Sequence, residues 1–410
     1  MSLRFAWDWE SAPEVRIAEL AATWSRLTIE VDDVIATLVE EREHSHGVRK
    51  SIDVPTYPLA EWLAINWWVL NAIAHRPGQG DVRFTKAGSG FPWPDVTLRS
   101  DRNLIWVQVK QRNKEPDFVR FLTQGQTVLD AEQCIGEIAR FIDATVRCLE
   151  ERGISDTFLQ QEWSTVQSAD VDERAFCSVA AAWGFDPYDM PESTTDRLLA
   201  VAQIVEDSTL LAELAHATTF ESIESAGEWM VTASQFALLG EATIPVIGSL
   251  VPSGSQVTPP WREGYRLASQ LRQRLQFSLT ERVPIEEFVR VSTVPANPPP
   301  NVDALVKVAS DATGIVMGGQ TNEAGRRFAG ARALARKATG AAIGLSLLTR
   351  GTQYSDRAER AFAAEFLAPA AGLRDLIGED YSEQAQRLAA KRLGVSLSLI
   401  EHQIENQLAA

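Results

Sequence analysis

Five basic side chains crowd one stretch near the C-terminal end of the chain: Arg326, Arg327, Arg332, Arg336 and Lys337. Each arginine presents several N–H donors in a planar fork and keeps its charge at any physiological pH, so such a set suits carboxylates and phosphates. On the helix predicted there, the i,i+4 spacing of Arg332 and Arg336 puts both on one face. Two readings follow. One is a solvated face that pairs with acidic neighbours or with another chain. The other is a cleft that takes a phosphate or a partner's carboxylates. If the arginines are exposed, reversing Arg332 and Arg336 to glutamate weakens that binding and leaves folding intact. Metal chemistry finds less support, because His44, His46, His75, His216 and His402 lack the HExxH spacing that sets two imidazoles one helical turn apart. Cys134, Cys148 and Cys177 show no CxxC spacing and sit in segments that look helical, so buried free thiols are expected.

Composition sets the frame for that site. The 410 residues include 39 basic and 55 acidic side chains, a net charge of −16, which repels a phosphate backbone and disfavours direct nucleic-acid binding. At 45% apolar and 23% charged residues the chain matches ordinary globular proteins. No apolar run approaches the roughly 18 residues of a membrane-spanning helix, so no membrane association is expected. The first residues lack the apolar segment of a signal peptide, which reads as cytoplasmic.

The elements that must position these residues give an α+β fold class. Tryptophan marks the first change along the chain, with eight of 12 at or before Trp106. An N-terminal α+β domain over residues 1–124 carries two β-hairpins: Thr28–Val31 with Val34–Val39 around Asp32-Asp33, and Asp95–Arg99 with Leu104–Lys110. Between them a helix is predicted over Pro58–Ala74 from the spacing of Leu59, Trp62, Leu63, Trp67, Leu70 and Ile73. Residues 125–252 show only helical periodicity, with helices over Val128–Arg152, Asp170–Trp183 and Thr194–Val205. Ser253–Pro260 reads as a linker, leaving 253–410 as a last, mostly helical domain.

In that last domain, Gly264-Tyr265-Arg266-Leu267-Ala268, a helix carrying Pro284-Ile285, Ala312-Thr313-Gly314-Ile315-Val316, Arg326-Arg327-Phe328 and Phe362-Ala363-Ala364-Glu365-Phe366-Leu367-Ala368-Pro369 follow one another in an order that resembles an ImmA/IrrE-type metallopeptidase domain. The resemblance covers roughly 150 residues and implies a zincin-like fold. In that family a helix opening with RF carries HExxH, whose histidines bind zinc while its glutamate activates water. Here Arg332 and Arg336 stand at the histidine positions and Ala333 at the glutamate position. Arginine has no lone pair to give a metal and alanine is no base, so no zinc, no cofactor and no peptidase activity are expected. The family's remaining acidic ligand would fall near Asp356. The resemblance then implies an inactive module in a bacterial stress-response, mobile-element or phage-defence system. Its partner would be a protein, either repressor-like or an effector subunit, with an anionic ligand as the second candidate. The closing stretch Gln384–Asn406 passes for a helix-turn-helix, but Glu401 and Glu405 on its second helix favour a plain helical hairpin over base reading.

A second resemblance lies in the N-terminal hairpin. Pro94-Asp95, twelve residues, then Gln108-Val109-Lys110 is similar to the PD-(D/E)xK nuclease pattern. That likeness implies a Mg²⁺ held by Asp95 and Gln108, with Lys110 steadying the attacking water and Glu61 on the preceding helix as an added ligand. The bland alternative is the wet face of an antiparallel hairpin.

Overall fold

A computed structural model describes residues 2–41, 47–72, 80–101, 104–112, 119–241, 244–248, 258–340, 343–351 and 353–408. The fold is α+β, as expected. Two compact units divide the chain, Met1–Met190 with Val251–Val257, and Pro191–Leu250 with Thr258–Ala410. This corrects the three-way division at 124 and 252. The helices between those points belong to different cores: the helix Ala131–Glu151 stacks Phe141 on Phe5 at 4.4 Å, whereas the helix Ser208–Ala217 packs against the strand Gly344–Thr349. The linker segment 253–257 lies outside the described residues, as do His44, His46 and His75.

In the first unit, Leu3–Trp9 pairs antiparallel with Trp24–Val31, which also pairs with Val34–Ile35 and Ile52–Pro55. Asp32 turns the first expected hairpin with φ 55°, a left-handed conformation that aspartate tolerates better than most residues. A further sheet runs Gly125–Asp130, Leu104–Lys110, Asp95–Asp101, Val82–Arg83, so the second expected hairpin is also present. Its turn residues Arg102 and Asn103 are outside the described set. Gly125–Asp130 is a strand where only helical periodicity was expected, because a short apolar run such as Val128-Leu129 fits either period. Asp130 ends it and caps the following helix, accepting from the Gln133 N–H at 3.0 Å. Over the described part of the helix expected at Pro58–Ala74 there are two helices, Tyr57–Ile65 and Trp67–Asn71, broken at Asn66, and Ile73 and Ala74 lie outside the described residues.

In the second unit a five-stranded sheet runs Gly240–Glu241, Ala312–Gly318, Val302–Val308, Gly344–Thr349, with Arg290–Val294 parallel to Ala312–Gly318. The expectation of a mostly helical domain missed this sheet, and the helix expected at Pro284-Ile285 is a single 3-10 turn, Ile285–Glu287. Three helices pack with it: Pro260–Arg274, Glu323–Ala338 and Tyr354–Leu367. Gly264 lets the first and third approach closely, since a Cβ there would meet the Ala358 carbonyl and the Phe362 N–H. Leu267, Leu271, Ile315, Leu334, Phe362 and Phe366 are buried in the shared core. The helices Glu383–Leu393 and Leu397–Gln403 form the expected terminal hairpin, with Gly394 between them at φ 68°. Among the described residues no helix is long and apolar enough to cross a membrane. All three cysteines are free and buried, and burial pushes the Cys134 thiol up to about 12.

Candidate functional site

Small residues decide where the arginines go. Asn322 caps the helix Glu323–Ala338 by accepting from the Gly325 N–H at 2.8 Å. The run Ala329-Gly330-Ala331, then Ala333, Ala335 and Ala338, lets that helix sink into the unit, and at Gly330 even a methyl would meet Ile285. The expected exposed basic face is therefore corrected: Arg332 is 0% and Arg336 4% exposed.

Buried guanidinium groups need counter-charges and acceptors. Arg332 donates to Asp303 Oδ2 at 2.8 Å and to the Thr349 carbonyl at 2.8 Å, with Glu359 Oε2 at 3.4 Å and Asp356 Oδ1 at 3.5 Å. Arg336 donates to Glu359 Oε1 at 2.8 Å, Ser346 Oγ at 2.7 Å and the Leu347 carbonyl at 2.7 Å. Asp356 and Glu359, 0% and 1% exposed, lie on the facing helix Tyr354–Leu367. The Thr349 hydroxyl donates to Asp356 Oδ2 at 2.9 Å, and the surface residue Arg350 donates to Asp303 Oδ1 at 2.8 Å. Burial, followed by the neighbouring charge of Arg332, pulls the Arg360 guanidinium below its ordinary pKa.

The same side chains close a sheet edge. Gly344–Thr349 is a terminal strand of its sheet, and its Leu347 and Thr349 carbonyls accept from Arg336 and Arg332 while its Leu347 N–H donates to Glu213 at 2.5 Å. His216 Nε2 lies 3.6 Å from Asp356 Oδ2. Gly351 seals that corner, because a Cβ there would meet both the Asp356 carboxylate and the His216 ring.

The rest of the basic set does not converge on this cluster. Arg327 donates to the Gly394 and Val283 carbonyls at 2.9 and 2.8 Å and pairs with Glu286 at 3.2 Å, and burial lowers its pKa. Lys337 donates to the Ala309 and Ser310 carbonyls at 2.7 and 3.0 Å. Half-buried Arg326 donates to the Thr321 carbonyl at 2.9 Å. Sequence reasoning missed Asp303, Glu213 and Glu359. For Glu359 a signal existed: it follows Asp356 by one turn on a face shared with Phe362 and Ala363, and a carboxylate on an apolar face calls for a buried partner. Asp303 reaches Arg332, and Glu213 the Leu347 N–H of the neighbouring strand, only through the tertiary fold.

In the N-terminal hairpin the register sets Asp95 opposite Lys110 and Thr97 opposite Gln108, so Asp95, Gln108 and Lys110 share one face of the sheet. Glu61 sits on the helix Tyr57–Ile65 beside Tyr57, whose hydroxyl is pushed up to about 12 by burial and by that carboxylate. Among the described residues no group of three or more His, Cys, Asp or Glu side chains is placed to hold a metal. No family model matches the chain, and no curated protein matches it.

Proposed function

We propose that the second unit carries a catalytically inactive, ImmA/IrrE-like pseudopeptidase module that acts by binding a protein partner in a bacterial regulatory or defence system. One observation carries this reading: guanidinium groups stand at the two positions where the resemblance calls for zinc-binding histidines, and this chain's own carboxylates neutralise them. A cation thus occupies the centre of the acidic cluster permanently, as part of the fold. The strand edge alongside, Gly344–Thr349, spends its Leu347 and Thr349 carbonyls on the same arginines, which leaves an extended substrate fewer backbone groups there to pair with. Arg332 and Arg336 are struts in this reading, and partner contact falls to other surfaces.

The test is an assay with added zinc and an unfolded protein substrate or a helix-turn-helix repressor. The substrate should stay intact; cleavage abolished by a chelator would contradict the proposal.

The hairpin register supports a second reading, a Mg²⁺-dependent nuclease built on Asp95, Gln108 and Lys110. It is the weaker one, since the pattern supplies one carboxylate and one neutral amide, whereas Mg²⁺ favours carboxylate ligands. No DNA or RNA cleavage is expected with Mg²⁺ or Mn²⁺. Cleavage that Asp95→Ala removes from a folded chain would replace the first reading with this one.

A further inference from the structure

The strand Leu3–Trp9 lies at a sheet edge, with Trp24–Val31 as its single strand neighbour among the described residues. Its even-numbered residues bond inward: the Ser2 carbonyl accepts from Asp32 and the Glu10 N–H donates to Trp24. The odd-numbered ones, Leu3, Phe5, Trp7 and Trp9, therefore point their backbone groups out of the sheet. A cleft of about 630 Å³ runs along this edge, bounded by residues 2–7, Glu137 and Arg140. Those two side chains imitate a neighbouring strand at one position: the Phe5 N–H donates to Glu137 Oε1 at 2.8 Å, and Arg140 donates to the Phe5 carbonyl at 2.5 Å. Arg140 is about half exposed, pairs with Glu137 on its own helix and lies 4.7 Å over the Trp7 ring, so another strand could pair here only if both side chains left Phe5.

We propose that this edge pairs antiparallel with the same edge of a second copy of the chain, about a two-fold axis at Ala6, once Glu137 and Arg140 release Phe5. Charge complementarity selects that occupant and that register. Arg4, Ala6 and Asp8 are the exposed side chains of the strand. Within one copy, Asp53, Arg26 and Asp8 lie in one row across the sheet, and Arg4 lies opposite Glu30. Pairing about Ala6 sets Asp8 opposite Arg4 of the second copy, so the row becomes Asp53, Arg26, Asp8, Arg4, Glu30, with the sign alternating at every step. It does so twice, by symmetry. The same register pairs Phe5 with Trp7 and Leu3 with Trp9, all residues with outward backbone groups, as an antiparallel ladder requires. Moving the axis two residues along the strand, to Asp8, shifts the register by four and would set Asp8 against Asp8, and like charges directly opposite oppose pairing.

Disulfide trapping of the full chain reads the register directly. Ala6→Cys places two thiols on the axis in a non-hydrogen-bonded pair, close enough to bond, and the native cysteines are buried. Asp8→Cys is the control, since its two copies would be separated along the strands. Under mild oxidation Ala6→Cys should give covalent dimer at least about tenfold faster than Asp8→Cys, because only the former meets disulfide geometry. Adding Arg4→Asp should slow the trapping, and adding Arg4→Asp with Asp8→Arg should restore it. Equal rates for the two cysteine variants, or trapping indifferent to Arg4→Asp, would overturn the proposal.

Discussion

Arg332→Met should destabilise the second unit by about 3–5 kcal/mol, because it removes a fully buried guanidinium from among three carboxylates that it holds together. The side chain is 0% exposed, and it is the group that touches all three of Asp303, Asp356 and Glu359. Methionine matches its bulk, so the loss reports charge and hydrogen bonding more than a cavity. Arg332→Lys should recover only part of it, since a single ammonium cannot reach Asp303, Glu359 and the Thr349 carbonyl with the same planar fork. Arg332→Glu adds a fourth carboxylate to the cluster and should not fold stably, which reverses the expectation drawn from an exposed helix. Arg350 is 68% exposed on the same Asp303, and Arg350→Ala should cost no more than about 1 kcal/mol, as for other surface pairs. Urea unfolding measures each variant through its midpoint. An Arg332→Met midpoint equal to that of the unaltered chain would mean that the carboxylates do not depend on the Arg332 charge.

The second large effect concerns Arg336 and Glu359, joined at 2.8 Å with both side chains almost fully buried. Glu359→Leu strips Arg336 of its carboxylate, and Arg336→Met removes from Glu359 the shorter of its two arginine contacts, the other being Arg332 at 3.4 Å. Each single change should cost about 3–5 kcal/mol as a broken buried pair. Making both changes replaces the pair by apolar side chains, and the losses should fail to add by about 2–3 kcal/mol. Fully additive losses would show that the two groups act separately and that the remaining contacts of Arg336, to Ser346 and the Leu347 carbonyl, dominate.

The two hairpins and the terminal helical pair were legible from the sequence because each is local: a turn residue such as Asp32 or Gly394 lies between two runs of one period. The arginine cluster was legible as a site but not as an interior. Charge runs on helices usually face water, and what overrides that here is the alanine and glycine spacing that draws the helix inward, together with acids delivered from elsewhere in the chain. Asp303 lies 29 residues and Glu359 27 residues from Arg332, and no local pattern announces such pairing. The strand Gly125–Asp130 and the sheet of the second unit were lost for a related reason, since short apolar runs carry no period of their own.

We propose that a built-in guanidinium cluster stands where the resemblance would put a zinc site, and metal content tests this most directly. The purified full chain, equilibrated with zinc and then dialysed, should retain well under one zinc per chain by elemental analysis, because Arg332, Ala333 and Arg336 offer neither of the imidazoles nor the carboxylate of a zinc-activating helix. One tightly held zinc per chain, lost on substitution of Asp356 or Glu359, would contradict it.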